Sequence, residues 1–261
     1  MTDPSSEILF AVEDGIAWLT FNRPAARNAM TFGMYARLAG LCAQIDSDES
    51  VKVLILRGAG DKAFVAGTDI AQFREFKKPQ QAIDYEAMID KVLDAVENVR
   101  VPTIAAIQGA CTGGGAGIAA ACDLRIGAPS AKLGFPIART LGNTLSTRNY
   151  ARLGALLGVA RTKDIIFLAR LMDAVEMKSI GLLCEVTTEE GLYTRAAEMG
   201  RTLISHAPIT LQTAKQALNE VLRHWTPAGS SDHVVRAYMS ADFQEGVEAF
   251  LAKRKPRWRG V

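Results

Sequence analysis

Two stretches of small residues are the first places in this chain where chemistry could be done. One is Phe64-Val65-Ala66-Gly67-Thr68-Asp69-Ile70; the other is Gln108-Gly109-Ala110-Cys111-Thr112-Gly113-Gly114-Gly115-Ala116-Gly117. Each follows an apolar run of strand type and leads into a helical pattern. A helix start leaves its first N–H groups without intrahelical acceptors, and small residues let a ligand approach them closely. In the first stretch Asp69 can cap a helix starting near Ile70. The second holds five glycines within nine positions but is not the dinucleotide fingerprint. Ile118 stands where a third glycine is needed after Gly113 and Gly115, and no Gly-Lys-Ser/Thr ending makes it a phosphate loop. Two such junctions, if their N–H groups converge, would stabilise a thioester enolate or a tetrahedral oxyanion. Each donor of that kind is worth roughly 2.7–4 kcal/mol.

The elements that must position these loops can be read from pattern. Ile8–Val12 and Ile16–Phe21 are strand-like runs joined at Asp14-Gly15, a hairpin signal. A helix runs from Thr31, a plausible N-cap, to about Ile45, with Met34, Leu38, Leu41 and Ile45 on one face. Val51–Arg57 reads as a buried strand, Gln80–Asn98 as a helix, and Pro102 opens another strand ending at Ile107. Leu124–Gly127 and Lys132–Gly134 are short strands. From about Tyr150 helices dominate: Ala151–Ala169, Asp173–Ile180, Glu190–His206, Ile209–Arg223 and Asp242–Lys253, with one strand at Cys184–Thr187. The reading is an α/β body over residues 1–200 followed by a helical region over 201–261.

Composition limits the alternatives. The chain has 261 residues, 49% hydrophobic and 22% charged, with 30 basic against 28 acidic residues. That balance gives no general attraction to nucleic acid or membrane. Cys42, Cys111, Cys122 and Cys184 form no CxxC pair, and His206, His224 and His233 lie apart from them, so no metal site is expected. Cys111 and Cys122 read as buried small hydrophobes, Trp18 as core or subunit packing, and Asp123 as a turn acceptor. The polar stretch Met1–Glu7 has no signal pattern, and no run reaches the roughly 20 apolar residues of a membrane span. A reducing, cytoplasmic setting is expected. The tail Lys253-Arg254-Lys255-Pro256-Arg257-Trp258-Arg259 reads either as a solvated terminus or as a phosphate contact.

Several motifs in order resemble one family. They are Asn22-Arg23-Pro24, Arg27-Asn28-Ala29-Met30, Lys62-Ala63-Phe64 running into Ala66–Ile70, Gln108-Gly109 with the triple glycine, Cys122-Asp123, Gly134-Phe135-Pro136, and Phe250-Leu251-Ala252-Lys253-Arg254. Together they resemble the crotonase superfamily, the enoyl-CoA hydratase/isomerase family. The resemblance implies a fold of repeated ββα turns forming a spiral core, with a helical C-terminal region that mediates homotrimers or dimers of trimers. It implies an acyl-CoA thioester as substrate and no prosthetic group. By position, the backbone N–H groups of Thr68 and Gly114 would form the oxyanion hole. Ala66, Gly67, Thr68, Asp69, Ile70, Gly113 and Gly114 would border the pantetheine. Lys62 and Ala26 or Arg27 would lie near the nucleotide, and Lys253 and Trp258 would reach CoA phosphates or adenine, in this subunit or a neighbour.

The chain departs from the family where hydration needs acids. Hydratases of this family use two glutamates, because water must be activated while a proton is delivered to carbon. Here the first position is Gly117 and the second is Ile137, or Ala138 if a one-residue insertion before Gly142 falls earlier. Gly117, Pro136, Ile137, Arg139 and Asn143 are expected around the acyl group. Arg139 could hold a carboxylate or be paired structurally, and Asn143 could bind a polar substituent. Glu75 and Glu86 are candidate proton carriers. The expectation is an enoyl-CoA hydratase/isomerase-family enzyme working through a thioester enolate, as an isomerase, decarboxylase or hydrolase with another acid/base. The alternatives are a non-catalytic acyl-CoA-binding scaffold and, from another class, an RNA-binding relative.

Overall fold

The computed structural model describes residues 4–224 and 231–261. The first three residues of the polar N-terminal stretch and positions 225–230 of the expected helical region lie outside them. The strands are β1 (Ile8–Glu13), β2 (Ile16–Phe21), β3 (Val53–Gly58), β4 (Ala63–Val65), β5 (Thr103–Ile107), β6 (Ala110–Thr112), β7 (Leu124–Gly127), β8 (Lys132–Gly134), β9 (Leu171–Asp173) and β10 (Glu185–Val186). The helices are α1 (Pro4–Glu7), α2 (Phe32–Ser47), α3 (Pro79–Asn98), α4 (Gly114–Ala121), α5 (Ile137–Thr140), α6 (Thr147–Leu157), α7 (Val159–Phe167), α8 (Ala174–Ser179), α9 (Leu192–Ile204), α10 (Pro208–His224), α11 (Asp232–Tyr238) and α12 (Ala241–Leu251). Short 3₁₀ turns cover Pro24–Ala26 and Ile70–Glu75.

One sheet has the order β1-β2-β3-β5-β7-β10, the other β4-β6-β8-β9. The β1–β2 hairpin turns at Asp14 and Gly15, both at positive φ (50° and 79°), as a tight two-residue connection requires. From β2 onward the large sheet is parallel. Its central strand β5 is buried along its whole length and β3 is buried except at Arg57, as strands covered on both faces are. Three large-sheet strands each feed a three-residue strand of the small sheet, β3 into β4, β5 into β6 and β7 into β8, and each pair leads into helix. These are the repeated ββα turns that the resemblance implies. The chain doubles back tightly at each crossing: at Gly109 (φ +59°) a Cβ would collide with the backbone of Lys62.

Helix α2 starts where its cap predicts, with Thr31 Oγ1 accepting from Met34 N–H at 3.1 Å, and buries Met34, Leu38, Leu41 and Ile45. The expected single helix over Ala151–Ala169 is two helices, because Gly158 adopts φ +77° and ends α6. Strands β4, β6 and β9, of three residues each, are not marked by periodicity. Helices α5 and α11 are likewise additions to the sequence reading. Among the described residues no helix is long and apolar enough to cross a membrane.

Candidate active site

The ends of β4 and β6 bring the two small-residue loops side by side. A Cβ at Gly113 would lie 3.5 Å from Gly67 Cα, and one at Gly114 would lie 3.4 Å from Thr68 Oγ1 and collide with the Tyr35 hydroxyl. The first loop is held from below. Asn28, buried and at φ 57°, donates from Nδ2 to the carbonyls of Ala59 and Ala63, while its Oδ1 accepts from Arg23 N–H. Met30 N–H donates to Gly67 O and Asp69 N–H to Met30 O. Among the described residues no backbone carbonyl accepts from Thr68 N–H. Gly114 N–H opens α4 and has no intrahelical acceptor. Asp69 caps the Ile70–Glu75 turn through Ala71 N–H and pairs with Arg23 at 3.1 Å, so its role is to fix the loop.

Both loops open on a cavity of about 160 Å³. Gly117, Pro136, Ile137 and Asn143 line it, as do Ala66, Gly67, Thr68, Ile70, Gly113 and Gly114. A comparable cavity of roughly 150 Å³ accommodates benzene, so the space suits a short acyl group. At Gly117, a Cβ would come within 3.2 Å of Leu93 Cδ1, so an α3 leucine occupies the room that a side chain there would need. Ile137 adds an apolar wall. Neither position can exchange a proton.

The acid lies elsewhere in the wall. Glu86, on the buried face of α3, is 5% exposed and lines the same cavity as Thr68 and Gly114. Its carboxyl accepts from the Tyr238 hydroxyl at 2.6 Å and from Ser146 N–H at 2.8 Å. Burial pushes its pKa from 4.5 up to about 7; the two donated hydrogen bonds work against that rise, and Asp90 adds to it. Beside it, Tyr35 and Tyr85 hydroxyls flank Thr68 Oγ1 at 2.8 Å each, and burial keeps both phenols protonated. Deeper in the wall, Arg152 is 4% exposed and fully engaged. It contacts Glu97 at 2.9 Å, Asp94 at 3.1 Å and Asn149 Oδ1 at 2.6 Å. This cation is therefore spent on the protein's own acids.

The other proton-carrier candidates fall outside the cavity wall. Glu75 is exposed, 3.8 Å from Lys77, and Arg139 is exposed on α5. The sequence reading weighed Glu75 and Glu86 alike; burial separates them. It missed Tyr35, Tyr85, Asn149, Arg152 and Tyr238, and the contact of Ser146 N–H with Glu86. Cys111 and Cys122 are buried, with thiols pushed up by desolvation, Cys122 to about 12, so they are inert. Asp123 accepts from Thr103 and pairs with Lys215 at 2.8 Å. Trp18 lies under the Arg57 guanidinium. Among the described residues no cluster of His, Cys, Asp or Glu could hold a metal ion.

On the outer side of the first loop, Ala26, Arg27 and Lys62 are exposed neighbours: Arg27 O accepts from Ala66 N–H, and Lys62 O from Ala110 N–H. The tail folds back on α12. Glu245 pairs with Arg254, Asp242 accepts from Arg259 and Gly260 N–H, and Ala241 N–H donates to Val261 O. Lys253 and Trp258 remain exposed, with Trp258 beside Gly142.

A spiral of ββα turns with paired small-residue loops over an acyl-sized cavity defines a crotonase fold. A family model for enoyl-CoA hydratase/isomerase matches residues 11–261. The chain is 32% identical to a short-chain-enoyl-CoA hydratase of Clostridium acetobutylicum and 33% to a crotonyl-CoA hydratase of Syntrophomonas wolfei. These alignments cover 96% and 95% of this chain, and 96% of each relative. A solved enoyl-CoA hydratase/carnithine racemase from Magnetospirillum magneticum superposes with a TM-score of 0.79 at 34% identity, covering 98% of this chain and 96% of that one. The chain belongs to the enoyl-CoA hydratase/isomerase family, whose members use CoA thioesters without a prosthetic group.

Proposed function

We propose that this chain is a short-chain acyl-CoA isomerase that shifts the double bond of a 3-enoyl thioester through a dienolate. The thioester oxygen accepts from the N–H groups of Thr68 and Gly114, and Glu86 acts as the one acid/base. The observation that carries this reading is the Glu86 carboxyl, buried in the wall that also holds both loops, with a pKa near neutrality. Such a group is ionised enough at pH 7 to take a proton from C2 and acidic enough to return it at C4. Allylic transfer needs a single carboxyl because the proton removed and the proton delivered can be the same one.

The names of the curated relatives favour a second reading, hydration of a 2-enoyl thioester. That reaction asks for a second proton-exchanging group, and Gly117 and Ile137 supply none. The spent charge of Arg152 and the apolar wall favour neutral acyl groups over dicarboxylic ones. For the CoA moiety we assign the surface running from Ala66–Ile70 past Ala26, Arg27 and Lys62. Lys253 and Trp258 are a further phosphate or adenine contact, in this subunit or a neighbour. Exposed apolar residues at the end of α7 and on α10, among them Phe167, the following Leu168, and Leu218, suit burial in a homotrimer or a dimer of trimers. The deciding experiment compares turnover of a short 3-enoyl-CoA with that of crotonyl-CoA by the purified protein. Isomerisation lost in Glu86→Gln supports the reading. Crotonyl-CoA hydration faster than isomerisation replaces it with the second, and binding of both without turnover makes the protein a scaffold.

A further inference from the structure

Glu86 is approached from its inner side by donors alone. Ser146 contributes a backbone N–H to Oε2 at 2.8 Å, a group that can only donate. Tyr238 contributes its hydroxyl to Oε1 at 2.6 Å. A phenol can donate or accept, so its direction depends on its other neighbour. That neighbour is Asn143, whose Nδ2 donates to the Tyr238 oxygen at 3.2 Å and, longer, to Thr144 O at 3.5 Å. An amide nitrogen only donates, so the Tyr238 oxygen is the acceptor there and its single proton is committed to Glu86. Asn143 Oδ1 is buried with no partner among the described residues, so the side of the carboxamide that could accept from Tyr238 is turned away. The phenol is held far above its ordinary pKa by burial and by the Glu86 charge, so it does not ionise.

A carboxylate has about four lone-pair sites, and two of these are closed by donors. A proton taken up on the inner side would face the Tyr238 O–H with no acceptor to which that O–H could turn. We propose that Asn143, by donating to the Tyr238 oxygen, is a positioning residue that closes the inner relay and confines the proton taken by Glu86 to its cavity face, so that the same proton is returned to the substrate. This rests on the isomerase reading above. The C2–H bond of the 3-enoyl thioester breaks, its proton goes to Glu86, and its electron pair is delocalised onto the thioester oxygen. The pair then returns to form C2=C3 as C3=C4 opens and C4 takes the proton back from Glu86. No other reactant is consumed. The remaining charged and titratable groups near Glu86 are Asp90 on the same helix, Tyr35 from α2, Tyr85 from α3 and Arg152 from α6. Asp90 is engaged by the Ser146 hydroxyl at 2.6 Å, and Arg152 by Glu97 and Asp94, so neither offers Glu86 an inner acceptor.

The test uses a 3-enoyl-CoA deuterated at C2, turned over in ordinary water and analysed by mass spectrometry at early conversion. The wild type is expected to keep most of the label, moved to C4. Asn143→Asp changes the donor behind Tyr238 into an acceptor at a half-buried position. This opens a relay from Glu86 through Tyr238 toward solvent, and label retention should fall about tenfold, the value of one hydrogen bond to a charged group. Adding Tyr238→Phe to Asn143→Asp cuts that relay and should restore retention, an outcome that a merely structural role for either residue would not produce. Thermal melts of both variants confirm folding, and Tyr238→Phe alone, which keeps the ring, serves as a second control that should retain label. Full washout by the wild type overturns the inference, as does wild-type retention in Asn143→Asp or equal washout in the double variant. Full activity of Glu86→Gln overturns instead the reading on which it rests, and absence of any isomerisation overturns both.

Discussion

If Glu86 is the acid/base, one substitution should disable catalysis and relieve the fold. Its carboxyl is carried from an ordinary 4.5 to about 7 by desolvation, so at pH 8 the protein holds a buried charge that the unfolded chain solvates freely. The gap corresponds to on the order of 3 kcal/mol. Because the folded-state pKa lies above the unfolded one, the native state binds more protons between pH 4.5 and about 7. Stability is therefore highest below that window and is lost as pH rises through it. Glu86→Gln removes the titration while keeping the side-chain shape. Its carbonyl can accept from Ser146 N–H and its amide can donate to the Tyr238 oxygen. Urea denaturation at several pH values should show wild-type stability falling from about pH 5 to about pH 8 while Glu86→Gln stays level, the curves separating by about 2–3 kcal/mol at the alkaline end. Isomerase activity, followed through conjugation of the double bond, should rise with pH in the wild type and level off above about 7. It should drop by roughly 10²–10⁴-fold in the variant. A flat wild-type pH–rate profile, or parallel stability curves, would refute the assignment of Glu86 as an ionisable group inside the fold.

Gly114→Ala should lower the rate by about 10²–10³-fold with little loss of CoA binding, because its Cβ collides with the Tyr35 hydroxyl and moves an oxyanion donor; steady-state kinetics and calorimetry separate the two effects. Gly117→Ala should cost about 1 kcal/mol in urea denaturation, since its Cβ meets Leu93 Cδ1 at 3.2 Å. Arg152→Ala, which leaves the buried Glu97 carboxylate without its cation, should destabilise by about 3–5 kcal/mol in the same assay. Arg139→Ala should leave turnover within about twofold of wild type, as an exposed side chain outside the cavity wall.

The parts of the fold that announce themselves in sequence are those governed by local physics. The Asp14-Gly15 turn, the Thr31 cap and the apolar stripe of α2 each follow from neighbours within a few residues, and each stands where pattern places it. Strands β4, β6 and β9 do not, because they exist only through pairing with strands distant in sequence. Gly158 sits inside an unbroken helical pattern, and nothing local distinguishes a tolerated glycine from one at φ +77° that ends the helix. The two small-residue loops were legible as backbone devices, since glycine and small residues after a strand have few other uses. Their adjacency comes from β4 and β6 being hydrogen-bonded neighbours, which no spacing in the sequence encodes.

The acid was legible in part, and the missing portion shows what periodicity carries. Ala82, Tyr85, Ile89, Val92 and Val96 form the buried stripe of α3, and Glu86 falls inside that stripe. Glu75 belongs to no such stripe. An acid on the apolar face of a helix is costly unless it is paired or functional, so its position marked it for one of those two fates. The same stripe also buries Glu97, and sequence alone treats the two glutamates alike. The difference lies across the interface. Glu97 meets the permanent cation of Arg152 and is neutralised as an ion pair. Among the described residues the Glu86 carboxyl is hydrogen-bonded only by a phenol and a peptide N–H, which hold its orientation without fixing its charge. Among the described residues no cation stands among the direct partners of Glu86, so no ion pair fixes its charge, and that is why the proposed acid/base role falls to it and not to Glu97 on the same helix face.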